Sequence, residues 1–307
     1  MLTRREFAGC VASAAIARAA ALPGSILVHE HILVDFIGAD AIKPGRYNAD
    51  EVFRLALPKL KEIAALGCRR FLDCTPNFLG RDPRLLQRLA GASGIEIWTN
   101  TGLYSARQHK FLPAYAKTET AAQIAKRWAA EWRNGVDGVK PRFIKIGVNN
   151  GPLDDLDRKI VEAAALASKE TGLTFASHTG NGIAALEEVE IVQKAGGATS
   201  KFVWVHAYRE KDHAIHEKVA RAGAWVEFDG LGDKSADWHL ECIRHMGKAG
   251  LLNRTLLSQD SGWYHVGEPG GGNFRNYSFL YTGFLPRLTA AEAKQLLIDN
   301  PVAAYGP

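Results

Sequence analysis

Phe143-Ile144-Lys145-Ile146-Gly147-Val148 is an apolar run with no polar alternation and one amine in its middle. A strand with one wet face alternates apolar and polar residues, whereas an unbroken apolar run suits a parallel strand covered on both faces. Seven further runs of this kind lie along the chain, at 26–31, 70–74, 95–100, 173–178, 202–206, 225–229 and 255–260. Stretches with apolar residues near helical spacing lie between and after them, at 50–66, 156–171, 183–195, 211–222 and 236–249. Gly67, Gly172, Gly196 and Gly223 stand where such helices would end in left-handed backbone. Eight strand–helix units without a linker rich in proline, glycine or serine predict an α/β fold, a TIM (β/α)8 barrel filling residues 22–307 as one domain. A doubly wound open sheet is the alternative. The count of eight and the positions of the polar residues speak against it.

The bulk composition narrows the function. With 307 residues and 47% hydrophobic side chains, the chain can bury a large core. The formal charge is +5, of which Arg4, Arg5 and Arg18 against Glu6 supply +2. So small an excess, with no long basic run, gives no reason to expect a nucleic-acid partner. Four cysteines, Cys10, Cys68, Cys74 and Cys242, show no close paired spacing. They read as packing residues rather than as a disulfide framework or a cysteine zinc site. Residues 1–21 stand apart from the fold: Arg4-Arg5-Glu6-Phe7 precedes a small-residue apolar stretch holding Ala17-Arg18-Ala19 and Ala19-Ala20-Ala21. This resembles a twin-arginine export signal that is removed, which predicts an exported, periplasmic protein. Residues 7–21 are too few, and broken by Arg18, to span a bilayer that needs about 20 apolar residues. No later stretch reads as a membrane helix.

Six ligand-type side chains fall on these runs. His29 and His31 end the first, Lys145 interrupts the fourth, and His178, His206 and Asp260 end the fifth, sixth and eighth. In a barrel the C-terminal strand ends converge on one face, so side chains from five strands would meet in one bowl. His29 and His31, two residues apart on a strand, share a side, and two neutral imidazoles suit zinc or a similar ion. Taken singly, each position also has a structural reading: a core histidine for His178 or His206, a cap for Asp260. Lys145 is harder to read structurally. A buried unpaired ammonium is costly, so this amine is deprotonated, paired, chemically modified, or snorkels to the barrel rim.

The ordered set closely resembles the phosphotriesterase family of the amidohydrolase superfamily. Its matches are Val28-His29-Glu30-His31, Asp73 with Gly80-Arg81-Asp82, Asn100-Thr101-Gly102-Leu103-Tyr104, and Ile144-Lys145-Ile146-Gly147. Ser177-His178-Thr179-Gly180, Val205-His206, Ser258-Gln259-Asp260 and Asn300-Pro301 complete it. The resemblance implies two divalent metal ions, zinc by default with manganese, cobalt or iron accommodated. His29, His31 and Asp260 would hold the more buried ion and His178 and His206 the more exposed one. Lys145, carboxylated by CO2, would bridge the two, as would a hydroxide. Two ions roughly 3.5–4 Å apart bring a shared water towards neutral pKa and polarise a C=O or P=O oxygen. Asp260 would take the nucleophile's proton. Tyr104 resembles the tyrosine that lactonases of the family place near the substrate oxygen. Asp260, Lys145 and Tyr104 are therefore the candidate catalytic residues.

Two departures separate the chain from the family's known specificities. Arg209 stands where phosphotriesterases proper have an aspartate. Gly230, after Asp229, stands where they have a histidine and the lactonases an arginine. The expected activity is hydrolysis of an ester: a lactone, a carboxylic ester or an organophosphate triester. Amide or carbamate cleavage, and a metal-bearing binding protein with little turnover, are the alternatives. The partner is a small-molecule substrate, without nucleic acid or membrane, and the resemblance suggests a homodimer. Residues 262–281, with Trp263, Tyr264, His265 and Phe274, read as a mobile pocket wall. His213, His216, His239 and His245 fall in helices and read as exposed or partly packed, and His109 and His265 as loop residues.

Overall fold

The computed structural model describes residues 21–307; the export signal read over residues 1–21 lies outside these apart from Ala21. Among the described residues ten strands form, all joined by parallel pairings. They are β1 (Ser25–Val34), β2 (Cys68–Asp73), β3 (Glu96–Trp98), β4 (Asn100–Thr101), β5 (Phe143–Gly147), β6 (Phe175–His178), β7 (Phe202–Val205), β8 (Trp225–Phe228), β9 (Thr255–Leu257) and β10 (Gly262–His265). One sheet has the order β10-β1-β2-β3 and the other β4-β5-β6-β7-β8-β9. Only Thr99 separates β3 from β4, and its carbonyl accepts from Arg142 N at 2.9 Å, carrying the ladder across. At the other seam Asp260 N donates to His29 O at 3.0 Å and His31 N to Ser261 O at 2.9 Å. The two sheets are thus arcs of one ring of eight staves, a TIM (β/α)8 barrel. All eight apolar runs of the sequence lie on these staves. The first differs in extent, since β1 continues to Val34 and leaves its histidines inside the strand.

Helices α1 (Ala49–Ala65), α2 (Pro83–Ser93), α3 (Ala114–Thr118), α4 (Ala121–Asn134), α5 (Asp155–Thr171), α6 (Gly182–Lys194), α7 (His213–Arg221) and α8 (Ala236–Lys248) surround the ring. In α1, Val52, Ala56, Leu60 and Ile63 recur at helical spacing and are buried, and Asn48 caps the first turn by accepting from Asp50 N and Glu51 N. Periodicity did not single out α2 and α4. Both carry their own start signals: Asp82 accepts from Leu85 N, and Thr120 with Gln123 forms a capping box. The four expected glycines all have positive φ. No described helix is long and apolar enough to cross a membrane.

Alternation along each stave sorts the core into two layers. Ile26, Val28, Leu72, Phe143, Ala176, Val203, Val205, Trp225 and Leu256 pack together inside the barrel. Ile144, Ile146, Phe175, Phe202, Trp204, Val226, Phe228 and Leu257 face the helices. The inward set fills the lower barrel. Whatever follows it at the same parity points into the upper barrel.

Candidate metal centre and active site

Period two alone carries some of the site inward. Phe143 points in and Ile144 out, so Lys145 points in; Ala176 likewise sets His178, and Trp225 sets Glu227 and Asp229. For others, parity gives the wrong answer. Ile26 and Val28 face the interior, which would turn His29 and His31 towards the helices. The β1–β2 register shifts between Leu27 and Glu30, and this bulge re-aims both imidazoles into the barrel. His206 would also point outward after Val205, but its backbone sits at φ +66°; Asp260, four residues from the inward Leu256 and so of the right parity, also sits at φ +50°. Left-handed backbone on non-glycine residues costs of order 1 kcal/mol or more, and here it turns two side chains into one bowl.

All six predicted ligands, with Tyr104, line a single pocket at the strand ends. His29 Nε2 and His31 Nε2 lie 3.3 Å apart, and Asp260 Oδ1 is 3.3 Å from His31 Nε2 and 3.7 Å from His29 Nε2. These separations match the edge of a coordination tetrahedron with bonds of about 2.0–2.1 Å, which is roughly 3.3 Å. His206 Nε2 and His178 Nδ1 form a second pair at 2.6 Å. Lys145 Nζ and Asp260 Oδ1 are buried without a hydrogen-bond partner among the described residues. Buried polar atoms are rarely left so, and converging orphans beside four imidazoles fit a metal centre. His29, His31 and Asp260 could hold one ion and His178 and His206 another, with Lys145 facing both.

A second layer of groups orients these side chains. His29 Nδ1 meets Asp229 Oδ2 at 2.5 Å and Glu227 Oε1 at 2.9 Å, while His206 Nδ1 meets Asp229 Oδ1 at 2.7 Å. One carboxylate therefore fixes both rings with Nε2 towards the centre. His31 Nδ1 lies 2.7 Å from Thr75 Oγ1, whose own proton goes to Leu33 O, so the ring must donate there and Nε2 keeps its lone pair. Burial, then the charge of Lys145, lowers His29 to about 3, and burial with His206 holds His178 well below the usual range. Both rings are thus neutral and able to ligate. Burial works to raise Asp229, but His206 and His29 outweigh it and hold it low; burial and Asp229 keep Glu227 high. Glu227 escaped the reading of the sequence, although its parity with Trp225 would have revealed it.

Glu30 lies between the two histidines in sequence and points the other way. Its carboxylate accepts from Ser258 Oγ at 2.9 Å, Gln259 N at 3.1 Å and Ser261 N at 2.7 Å, tying β1 to the segment that carries Asp260. Burial pushes Glu30 up to about 8 against these donors. Glycines admit two close approaches. A Cβ on Gly102, at φ +126°, would strike the Lys145 carbonyl, and one on Gly147 would lie 2.6 Å from the Tyr104 ring. Tyr104 is thereby laid over β5 with its ring centre 5.0 Å from that of His178.

Arg107, His178 and Arg209 line both the metal pocket and a neighbouring open cavity of about 660 Å³, which His109 and Asn149 also line. The Gly230 position is closed by its neighbour: a Cβ there would lie 2.5 Å from the Tyr208 hydroxyl. The segment 262–281 is more tied down than a mobile wall. Gly262–His265 pairs with β1, Trp263 lines the metal pocket, and the fully buried Tyr277 donates to His31 O at 2.7 Å. His265 lines neither cavity; its ring lies against Phe36 and Trp263. Two helical histidines also differ from expectation: His216 and His239 are fully buried, because their nitrogens reach backbone carbonyls.

Comparison with known proteins finds matches along most of the chain. The model of the phosphotriesterase family matches residues 12–305. Phosphotriesterase homology protein of Escherichia coli is 26% identical over 293 residues, covering 91% of this chain and 96% of that protein. A crystal structure of the Escherichia coli protein with phosphate in its active site superimposes with a TM-score of 0.78, covering 92% of this chain and 99% of that one, at 23% identity. Aryldialkylphosphatase of Saccharolobus solfataricus is 28% identical over 247 residues, 77% of this chain and 76% of that protein. N-acetyltaurine hydrolase of Rattus norvegicus is 27% identical over 272 residues, 79% and 74% respectively.

Proposed function

We propose that this chain, which belongs to the phosphotriesterase family, is a two-metal hydrolase that cleaves an ester bond in a lactone, a carboxylic ester or an organophosphate triester. The observation that carries the reading is Lys145, a buried amine without a hydrogen-bond partner among the described residues, which lines one pocket with the His29–His31 and His178–His206 pairs. Its nitrogen adds to CO2 and loses a proton, which turns an unpaired amine into an anionic oxygen ligand. A bound pair of divalent ions, zinc by default, would supply a nucleophile from water near neutral pH and polarise the scissile C=O or P=O. Asp260, the one carboxylate among the six pocket ligands, would take the attacking water's proton, and the Tyr104 hydroxyl, held in the un-ionised form by burial, is available to donate to the substrate oxygen. Trp263, Phe36 and Leu79 give the pocket apolar walls.

Lys145→Ala tests this reading. Metal content near two ions per chain in the parent and a loss of most metal and turnover in the variant are expected; retention of both would overturn it. A substrate panel of lactones, aryl esters and phosphotriesters then sorts the esters. Amide cleavage is the second reading, favoured by the relatives named N-acetyltaurine hydrolase. Turnover of N-acetylated amino acids or aminosulfonates, with none on any ester at full metal loading, would select it. Under either reading, Arg107 and Arg209 at the pocket mouth favour a substrate with an anionic group beside the scissile bond. Export by the twin-arginine route is a separate proposal resting on Arg4 and Arg5. Replacing both by lysine should trap the protein in the cytoplasm, and unchanged export would remove it.

A further inference from the structure

The outer helical layer holds a second group of metal-ligand side chains, apart from the six of the barrel centre. His213 and His216 lie three residues apart on α7, and Cys242 lies on the neighbouring α8. One ligand atom from each falls within 4.8 Å of the others. We propose that His213, His216 and Cys242 form an additional transition-metal site, suited to zinc or an ion of similar preference.

Three features carry the inference. The first is distance: His213 Nδ1 and His216 Nδ1 are 3.3 Å apart. That is the His29–His31 separation in the barrel, and roughly the edge of a tetrahedron of Zn–N bonds. The second is tautomer. His216 Nε2 lies 2.8 Å from Ala207 O, and a carbonyl only accepts, so Nε2 carries the proton and Nδ1 its lone pair. His213 Nε2 faces Glu241 Oε1 at 3.5 Å, which draws its proton to the same side. Two lone pairs then oppose each other at Nδ1, an arrangement that a cation between them relieves. Backing of the far nitrogen by a carbonyl or carboxylate is the usual support for a metal-bound imidazole. The third is the thiol: Cys242 is fully buried and unpaired beside the two rings, which suits a soft ligand for zinc.

Three protein ligands leave one position for water. The part-exposed His213 gives entry from solvent, and the His245 ring, stacked on His213 at 4.2 Å, walls that side. The site also braces the active-site rim. Ala207, which His216 holds, directly follows His206, and Trp238, stacked on His213, donates to Tyr208 O at 2.7 Å beside Arg209.

Cobalt(II) titration of the full-length, metal-loaded enzyme tests the proposal, because a thiolate ligand gives cobalt a near-ultraviolet charge-transfer band that oxygen and nitrogen ligands lack. The parent should show the band with one equivalent bound beyond those of the barrel. Cys242→Ser should abolish it, whereas Cys74→Ser, which alters the cysteine lining the barrel pocket, should keep it. His213→Gln, at a partly exposed position that tolerates change, should weaken this equivalent about 10-fold or more. No band in the parent, or a band lost only with Cys74→Ser, would overturn the proposal. It would leave a proton shared between His213 and His216 as the content of the gap.

Discussion

Replacing Glu30 should loosen the barrel where Asp260 is held. The Glu30 carboxylate is the acceptor for Ser258 Oγ, Gln259 N and Ser261 N, all buried. Glu30→Ala leaves the two backbone N–H groups and the hydroxyl proton without it. At about 1–3 kcal/mol for each of the three unsatisfied buried donors, the loss is roughly 3–9 kcal/mol, less whatever water recovers in the space vacated. Against a typical domain stability of about 5–15 kcal/mol this is a large fraction. Glu30→Gln keeps the shape and one acceptor oxygen. That oxygen can still serve Ser258 and Gln259, while the amide faces Ser261 N donor to donor, so about 1–3 kcal/mol is expected. Because Glu30 positions the Asp260 segment, metal affinity should fall in the same order, by roughly 10–100-fold for an orienting group. Urea unfolding of metal-loaded protein gives the first quantity and competition with a chelator the second. The ranking parent, Gln, Ala should appear in both. A Glu30→Ala variant within about 1 kcal/mol of the parent and with unchanged metal affinity would refute the role given to this carboxylate.

Three further outcomes are expected. Burial raises Glu188 to about 8 from an ordinary value of 4.5, so its contribution to stability is complete below 4.5 and lost as pH rises through 8. Glu188→Gln, which stays neutral, should match the parent at pH 4 and exceed it by about 5 kcal/mol at pH 9; parallel stability curves would show that the carboxyl does not titrate there. Gly230→His should destabilise by about 1–3 kcal/mol through collision with Tyr208. Tyr208→Ala in the same chain should recover the part of the loss due to the collision, not the strain of a side chain at φ +67°, by thermal melting, and simple additivity of the two changes would show no coupling. Arg209→Gln should raise KM for an anionic ester about 10-fold or more while changing a neutral ester little, about 1.4 kcal/mol being one power of ten. Equal effects on both substrates would show that Arg209 does not read charge.

Residue type and order made the stave count and the six ligands legible, because buried parallel strands need unbroken apolar runs and a charged side chain inside one stands out. Period two also suffices for Lys145, His178, Glu227 and Asp229, each an even number of residues from an inward apolar neighbour. The same rule misdirects His29 and His31. A bulge between Leu27 and Glu30 turns them inward, and left-handed backbone sets the aim of His206 and Asp260. Such local departures cost energy and are stabilised only by long-range bonds such as Glu30 to Ser261 and Tyr277 to His31, which no local pattern encodes. The pairing of Cys242 with two histidines of another helix is of the same kind. Each helix shows its own spacing in the sequence, but only the packing of α7 against α8 brings imidazole and thiol to one point. The chain alone thus determines which residues can do the chemistry, and tertiary packing decides where they aim.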